Sequence, residues 1–373
     1  MSVEFRMPSL GADMLEGTLL EWRIAPGKRV KRGDIVALID TEKGVIDVEA
    51  FHDGVTEKLL VEPGSRVPVG TVLALFSGTA PESGVAATAQ PAPAPTEREV
   101  PAAHRMKVSP AARARAHALG IALETLTGTG TSGAIAIEDV ERAARAAPES
   151  TTAKAAMRHA IGAAMARAKR EIPHYYLAMT VDFTPARTWL EQFNAKRTVE
   201  ERLLYPVLLV KAVARAAREI PGFNGYFRGQ RFEPATDVNV GVAISQRGGG
   251  LVAPAVLTAA DKDLATLMRE LNELVARART GHLRSSELAL PTITLTSLGE
   301  EGVDSVQPII FPDQVAIVGA AGLVERPWVV DGRIEPRTVM TLTLAADHRV
   351  SDGRAGARFL KRIAALASSP GDL

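Results

Sequence analysis

"GTLLEWRIAPGKRVKRGDIVALI" (residues 17–39) and "GVTEKLLVEPGSRVPVGTVLALF" (residues 54–76) are two copies of one pattern at a constant offset of 37 positions. Gly17 aligns with Gly54, Pro26 with Pro63, Gly27 with Gly64, Val30 with Val67, Gly33 with Gly70, and Ala37-Leu38 with Ala74-Leu75. Each copy reads as short strands broken by a Pro-Gly turn and a second glycine. Two copies fall short of the roughly three that a stacked solenoid needs. The pattern predicts two facing sheets related by a pseudo-twofold axis.

Residues 40–53 connect the copies. Here "VALIDTEK" and "GVIDVEA" predict strand, turn and strand, with Glu42 and Lys43 at the hairpin tip. A lone lysine in a tight turn is ordinarily a solvated charge. The repeat changes this, because it gives Lys43 a unique place on a small rigid module.

The stretch resembles, over roughly residues 2–78, the lipoyl domain of 2-oxo acid dehydrogenase complexes. "MPSLGADMLEGTLLEW" is similar to the opening of that family and "DTEKG" to its modification site. The resemblance implies an all-β carrier domain over 1–78 with lipoate attached as an amide to Lys43. Biotin carriers share the fold but flank their lysine with methionines, and Glu42 and Gly44 stand against biotin. Glycine-cleavage carriers remain open on this module alone.

Residues 79–107 are rich in Ala and Pro and almost free of large apolar side chains. Such a segment cannot bury enough surface to fold, and alternating Ala-Pro favours an extended tether of about 3 Å per residue. Residues 108–146 open with a helix signal, Ser109 as cap and Pro110 in the first turn. Gly120 ends that helix, "GTGTSG" (128–133) follows, and a second helix is predicted from about Ile137. A glycine-rich loop with no preceding strand is weak evidence for phosphate binding.

This segment resembles the peripheral subunit-binding domain of the same complexes. The resemblance implies docking of dihydrolipoamide dehydrogenase, of the 2-oxo acid decarboxylase component, or of both. The family usually carries an arginine after the glycine-rich loop, where Ala134 stands here. Arg113, Arg115, Arg142 and Arg145 are balanced by Glu124, Glu138, Asp139 and Glu141. A weakened electrostatic attraction to acidic partners is therefore expected. Residues 147–154 read as a second, short linker.

Residues 155–373 alternate helix and strand patterns and predict an α/β domain built on one sheet. "YYLAMTVDF" (175–183), "PTITLTSLG" (291–299), "QVAIVGAAG" (314–322) and "TVMTLTLAAD" (338–347) read as strands. Residues 203–220 read as a buried helix, and another runs from about Arg354 to Ala367. Leu264, Leu267, Met268, Leu271 and Leu274 mark one face of a helix that Gly281 ends.

Two places stand out. "DHRVSDG" (347–353) puts His348 at a strand end, where a side chain can reach out of a rigid scaffold. "TLTSLG" (294–299) puts the Thr296 and Ser297 hydroxyls at another. Taken singly, each is as often a structural histidine or an ordinary β-threonine. Together they resemble the catalytic domain of dihydrolipoamide acyltransferases, a chloramphenicol-acetyltransferase-like fold. The resemblance implies His348 as the base for the coenzyme A thiol and Thr296 as oxyanion donor, with Ser297 as the alternative. Asp352 is placed in the site or, structurally, in a pair with Arg158. The implied site is shared by neighbouring subunits of a trimer or larger core, His348 from one and the hydroxyl from the next. A carrier and scaffold with an inactive acyltransferase domain is the alternative function.

The bulk composition agrees. A net charge of +1 gives no argument for nucleic acid or an anionic membrane. The longest apolar run, 315–324, is far short of the roughly 18 to 20 residues of a membrane span. The start lacks a signal-peptide layout, and a cytoplasmic enzyme is expected. The absence of cysteine removes protein thiol chemistry, and no pair among the seven histidines has metal-ligand spacing. If thiol chemistry occurs, a cofactor must bring the sulfur, and the resemblance implies lipoate and coenzyme A.

Overall fold

The computed structural model describes residues 2–8, 14, 16–41, 44–77, 112, 128–130, 134–140, 151–246 and 250–373. Glu42, Lys43, the Ala-Pro segment and most of the two helices expected in 108–146 lie outside the described residues. The chain divides into two compact units, Met1–Ala80 with Ala156–Leu373, and Pro81–Ala155.

The described residues among the first eighty form eight strands: β1 (Ser2–Arg6), β2 (Glu16–Trp22), β3 (Arg29–Val30), β4 (Ile35–Thr41), β5 (Gly44–Glu49), β6 (Gly54–Leu59), β7 (Arg66–Pro68) and β8 (Val72–Ser77). They make two sheets, ordered β1-β8-β6-β3 and β5-β4-β2-β7. β2, β3 and β4 recur as β6, β7 and β8, and β1 and β5 take matching edge places, as the repeat predicts. The turn glycines explain why the repeat keeps them. Gly27 and Gly64 have φ of 84° and 89°, and Gly33 and Gly70 of 92° and 88°, a region that L side chains avoid. Alternation along the strands turns Leu19, Val36, Ile39, Val48, Leu73 and Phe76 into a shared core.

The larger part runs through α1 (Thr151–Glu171), β9 (His174–Asp182), α2 (Thr184–Asn194) and α3 (Tyr205–Glu219). Two short hairpins flank the next strand: β10 (Gly225–Arg228) with β11 (Arg231–Pro234), then β12 (Val240–Val242), then β13 (Ile244–Ser245) with β14 (Leu251–Val252). β15 (Ala255–Val256), α4 (Leu264–Thr280), β16 (Leu283–Arg284), α5 (Ser285–Ala289), β17 (Ile293–Ser297) and β18 (Ala316–Ala320) follow. β19 (Val324–Val330), β20 (Arg333–Asp347) and α6 (Gly353–Ser368) complete it. The main sheet is ordered β15-β12-β17-β18-β20-β19, and β9 also pairs with β20.

α3 is apolar along most of its length, and Val207 to Val213 are all buried. It packs with α6 against the sheet, and Phe223 stacks on Phe359 with centroids 4.3 Å apart. α4 buries the predicted face, is capped by the Asp263 carboxylate, and ends at Gly281 with φ 77°. No helix among the described residues is long and apolar enough to cross a membrane.

Within Pro81–Ala155, the Asp139 carboxylate accepts from Thr129 N at 2.9 Å, Thr129 Oγ1 at 2.6 Å and Ala136 N at 3.0 Å. It is therefore the internal clamp of the glycine-rich loop. Asp139 itself is buried.

Candidate active site

β20 delivers His348, and the turn that follows is locked from below. The Asp347 carboxylate is 0% exposed. It accepts from Arg349 N at 2.9 Å and Arg349 Nη2 at 2.6 Å, and the guanidinium lies 3.9 Å over the Phe227 ring. Such a paired, stacked arginine satisfies a carboxylate that would be costly to bury alone. The Asp347 carbonyl accepts from Val350 N and Ser351 N, both at 3.0 Å, and His348 N donates to Pro173 O at 2.9 Å. The backbone on both sides of His348 is fixed while its side chain stays exposed.

The His348 ring meets Tyr175 edge-on, with centroids 5.2 Å apart and planes at 69°. The Tyr175 hydroxyl bonds Ser351 Oγ at 2.8 Å, and burial raises its pKa, so it stays protonated. A Cβ at Gly356 would come within 2.7 Å of that hydroxyl, so glycine there lets the tyrosine reach the turn. Sequence reading missed Tyr175, Asp347 and Arg349 as supports. The Asp-His-Arg order is visible, but the burial that gives it meaning is not.

Asp352 is the N-cap of α6, its carboxylate accepting from Ala355 N at 2.8 Å. The expected pair with Arg158 is not formed: Arg158 is exposed, and no described ion pair joins the two. An aspartate at this position is worth more to the orphan N–H groups of the helix start than to a distant guanidinium.

Thr296 and Ser297 end β17, both half-buried. Gly299 just beyond leaves room for the Tyr205 ring. Tyr205 also lines an open groove of about 510 Å³ with Phe183, Leu190, Leu203 and Leu323.

The two motifs do not meet within one chain. Thr296 lies opposite Gly319 of β18, and Gly319 opposite Thr343 of β20. Thr343 precedes His348 by five residues, so at about 3.3 Å per residue the pair is separated by roughly 17 Å along the strands. Two strand spacings add about 10 Å sideways. Among the described residues there is no cluster of His, Asp and Glu able to hold a metal.

A family model described as 2-oxoacid dehydrogenases acyltransferase (catalytic domain) matches residues 146–373. The chain belongs to the 2-oxoacid dehydrogenase acyltransferases. Two further models match this acyltransferase, one described as biotin-requiring enzyme over 3–76 and one as e3 binding domain over 106–141. The acyltransferase is 29% identical to a dihydrolipoyllysine-residue acetyltransferase component of the pyruvate dehydrogenase complex from Zymomonas mobilis, covering 99% of each chain. A Rickettsia felis component of the same name is 28% identical, again over 99% of each chain. Among solved structures, a probable dihydrolipoamide acetyltransferase from Listeria monocytogenes is 31% identical with a TM-score of 0.51, covering 56% of this chain and 90% of that one. The dihydrolipoamide acetyltransferase of Azotobacter vinelandii is 29% identical with a TM-score of 0.54, over 58% and 90%.

Proposed function

We propose that this acyltransferase moves an acyl group, acetyl foremost, from a lipoyl arm on Lys43 to coenzyme A within a pyruvate dehydrogenase-type complex. The observation that carries the reading is His348, exposed on a turn locked by buried Asp347 and Arg349, in a chain that begins with a carrier fold. The serine, histidine and asparagine studied in the catalytic mechanism of the Azotobacter enzyme are spaced by 52 and 4 positions. Thr296, His348 and Asp352 have the same spacings, which supports Thr296 over Ser297 as the hydroxyl donor.

The residues fit the group. Thr41 pairs with Gly44, so β4 and β5 come together on either side of residues 42 and 43 in the sequence, and a lysine amine is the group that an amide requires. Bound lipoate supplies a dithiol that carries the acyl group as a thioester. This chain's residues do the rest. His348 takes the proton of the attacking coenzyme A thiol on an imidazole nitrogen. Thr296 donates a hydrogen bond to the oxygen of the transferring acyl carbonyl as negative charge builds on it. Asp352 starts α6 and Tyr175 braces the imidazole, so the base meets its substrate without rearranging.

The 17 Å separation supports a site completed between copies, His348 from one subunit and Thr296 from the next. A similar structure is the cubic core of a pyruvate dehydrogenase multienzyme complex, which supports self-association here. Residues 106–141 take dihydrolipoamide dehydrogenase as partner, and the decarboxylase loads the arm. The proposed setting is the cytoplasm, where coenzyme A is available. The test is a panel of acetyl-, branched acyl- and succinyl-dihydrolipoamide donors with purified protein and coenzyme A. Acetyl transfer is expected to be fastest. No turnover with any donor would leave only the carrier and scaffold role.

A further inference from the structure

The carrier's two sheets are pseudo-twofold copies, so their outer edges, β1 and β5, are equivalent. They are not treated alike. The outer edge of β1 pairs with no strand among the described residues, whereas β5 takes a fifth strand, β16, from the acyltransferase part. The pairing is parallel, with Leu283 opposite Ile46 and Arg284 opposite Asp47. It continues into α5. Ser285 Oγ accepts from Glu49 N at 3.0 Å, and the Glu49 carboxylate accepts from Ser286 N at 3.3 Å. Ser285 is 0% exposed and Glu49 8%. Leu288 packs against the cores of both parts.

An open edge strand presents unpaired backbone groups that recruit another strand, with side chains on the added segment setting the choice. Residues 283–288 supply each element of such recognition: a short strand, an apolar residue opposite Ile46, a basic residue opposite Asp47, and a serine for the last free N–H of β5. The Glu49 carboxylate, at the end of β5 and largely buried, is given its partner by the same segment.

We propose that Leu283–Leu288 is a docking surface for the edge strand β5 of the carrier in the same chain, a place to which the carrier returns between transfers. This rests on the reading of residues 1–78 as a lipoyl carrier that must travel. The ladder is two residues long, so the carrier leaves without unfolding either part. The paired residues of the carrier are Ile46 and Asp47. A tether holds the carrier at millimolar effective concentration, so a weak contact is enough to be populated.

The chain has no cysteine, which makes the test clean. Paired strand positions lie within the Cα separation that a disulfide spans. In the full chain, Asp47→Cys with Arg284→Cys should form a disulfide under mild oxidation. A control pair, Glu57→Cys with Arg284→Cys, takes its first cysteine from the other sheet. The docked pair is expected to close at least about tenfold faster, giving one cross-linked chain rather than two joined chains. Equal rates overturn the docking surface, and a two-chain product overturns pairing within the chain. Oxidised protein assembled with the decarboxylase should lose overall turnover, yet keep transfer from free acyl-dihydrolipoamide, and reduction should restore it. Full overall turnover while locked overturns the parking role. If the reduced protein transfers no acyl group at all, the proposed function fails while the cross-linking result still stands for the surface.

Discussion

The geometry makes a quantitative demand on subunit mixing. Within one chain, Thr296 and His348 are separated by roughly 17 Å along the strands, beyond any side chain's reach. If both serve one reaction centre, they come from different chains. His348→Ala alone should lower turnover by about 10² to 10⁴-fold through loss of the general base. Thr296→Val keeps β-branching and removes the donor, at about 10² to 10³-fold. Suppose the two variants are unfolded together in equal amounts and reassembled as closed rings. Each shared site then draws an intact histidine from one chain and an intact threonine from its neighbour, each with a chance of one half. The recovered rate should be about a quarter of wild type, against about one per cent or less for either variant alone. The assay is acetyl transfer from acetyl-dihydrolipoamide to coenzyme A, with wild type carried through the same reassembly as reference. Recovery no greater than the sum of the separate variants would refute the shared site. A recovery seen with Ser297→Ala in place of Thr296→Val, while Thr296→Val is itself unimpaired, would move the donor by one residue.

Four further outcomes are expected. Phe359→Ala, which empties a fully buried stack on Phe223, should cost about 3 to 5 kcal/mol in denaturant unfolding of the protein. Asp352→Ala should cost about 0.5 to 2 kcal/mol through loss of the α6 cap, and Asp352→Asn should keep most of that stability in the same urea titration. Burial lowers the pKa of His174, whose Nδ1 lies 2.8 Å from Ile172 O and whose Nε2 accepts from Ile310 N at 3.1 Å. Its folded pKa is below the unfolded value of about 6.5, so the stability it contributes is whole above that value and is lost as pH falls below it towards the folded pKa. Urea midpoints should drop between neutral and mildly acidic pH, and His174→Gln should flatten that part of the profile. Peptide mass spectrometry of protein from lipoate-competent cells should show a lipoyl amide on Lys43, and an unmodified Lys43 beside lipoylated carriers from the same cells would contradict the carrier reading.

Legibility in the sequence followed the range of the interaction. The 37-residue offset exposed the carrier because its constraint is local: four glycines with φ near 90° mark the same turns twice. α4 was legible for the same reason, an apolar face closed by a terminal glycine, and the structure adds the Asp263 cap. β16 was not, because two residues carry no period, and its reason for being a strand lies some 236 positions away, where Glu49 N meets Ser285 Oγ. Asp352 was half legible. An aspartate just before Gly353 and a helical run is an N-cap signal, and a long-range pair with Arg158 was the less economical reading.

His348 and Thr296 raise the deepest case. Both motifs were visible, but only the β17-β18-β20 register shows that they lie too far apart to share a centre in one chain. Neither motif encodes that register, since it depends on which strands become neighbours. On the proposed reading, the contact that joins a histidine end to a threonine end is heterologous: one surface meets a different surface of the next copy. Such a contact closes into a ring or runs on without end. Only a closed ring gives every copy a complete site. A variant that weakens that contact should therefore lose oligomer and turnover together, whereas loss of either side chain should abolish turnover and leave the oligomer intact.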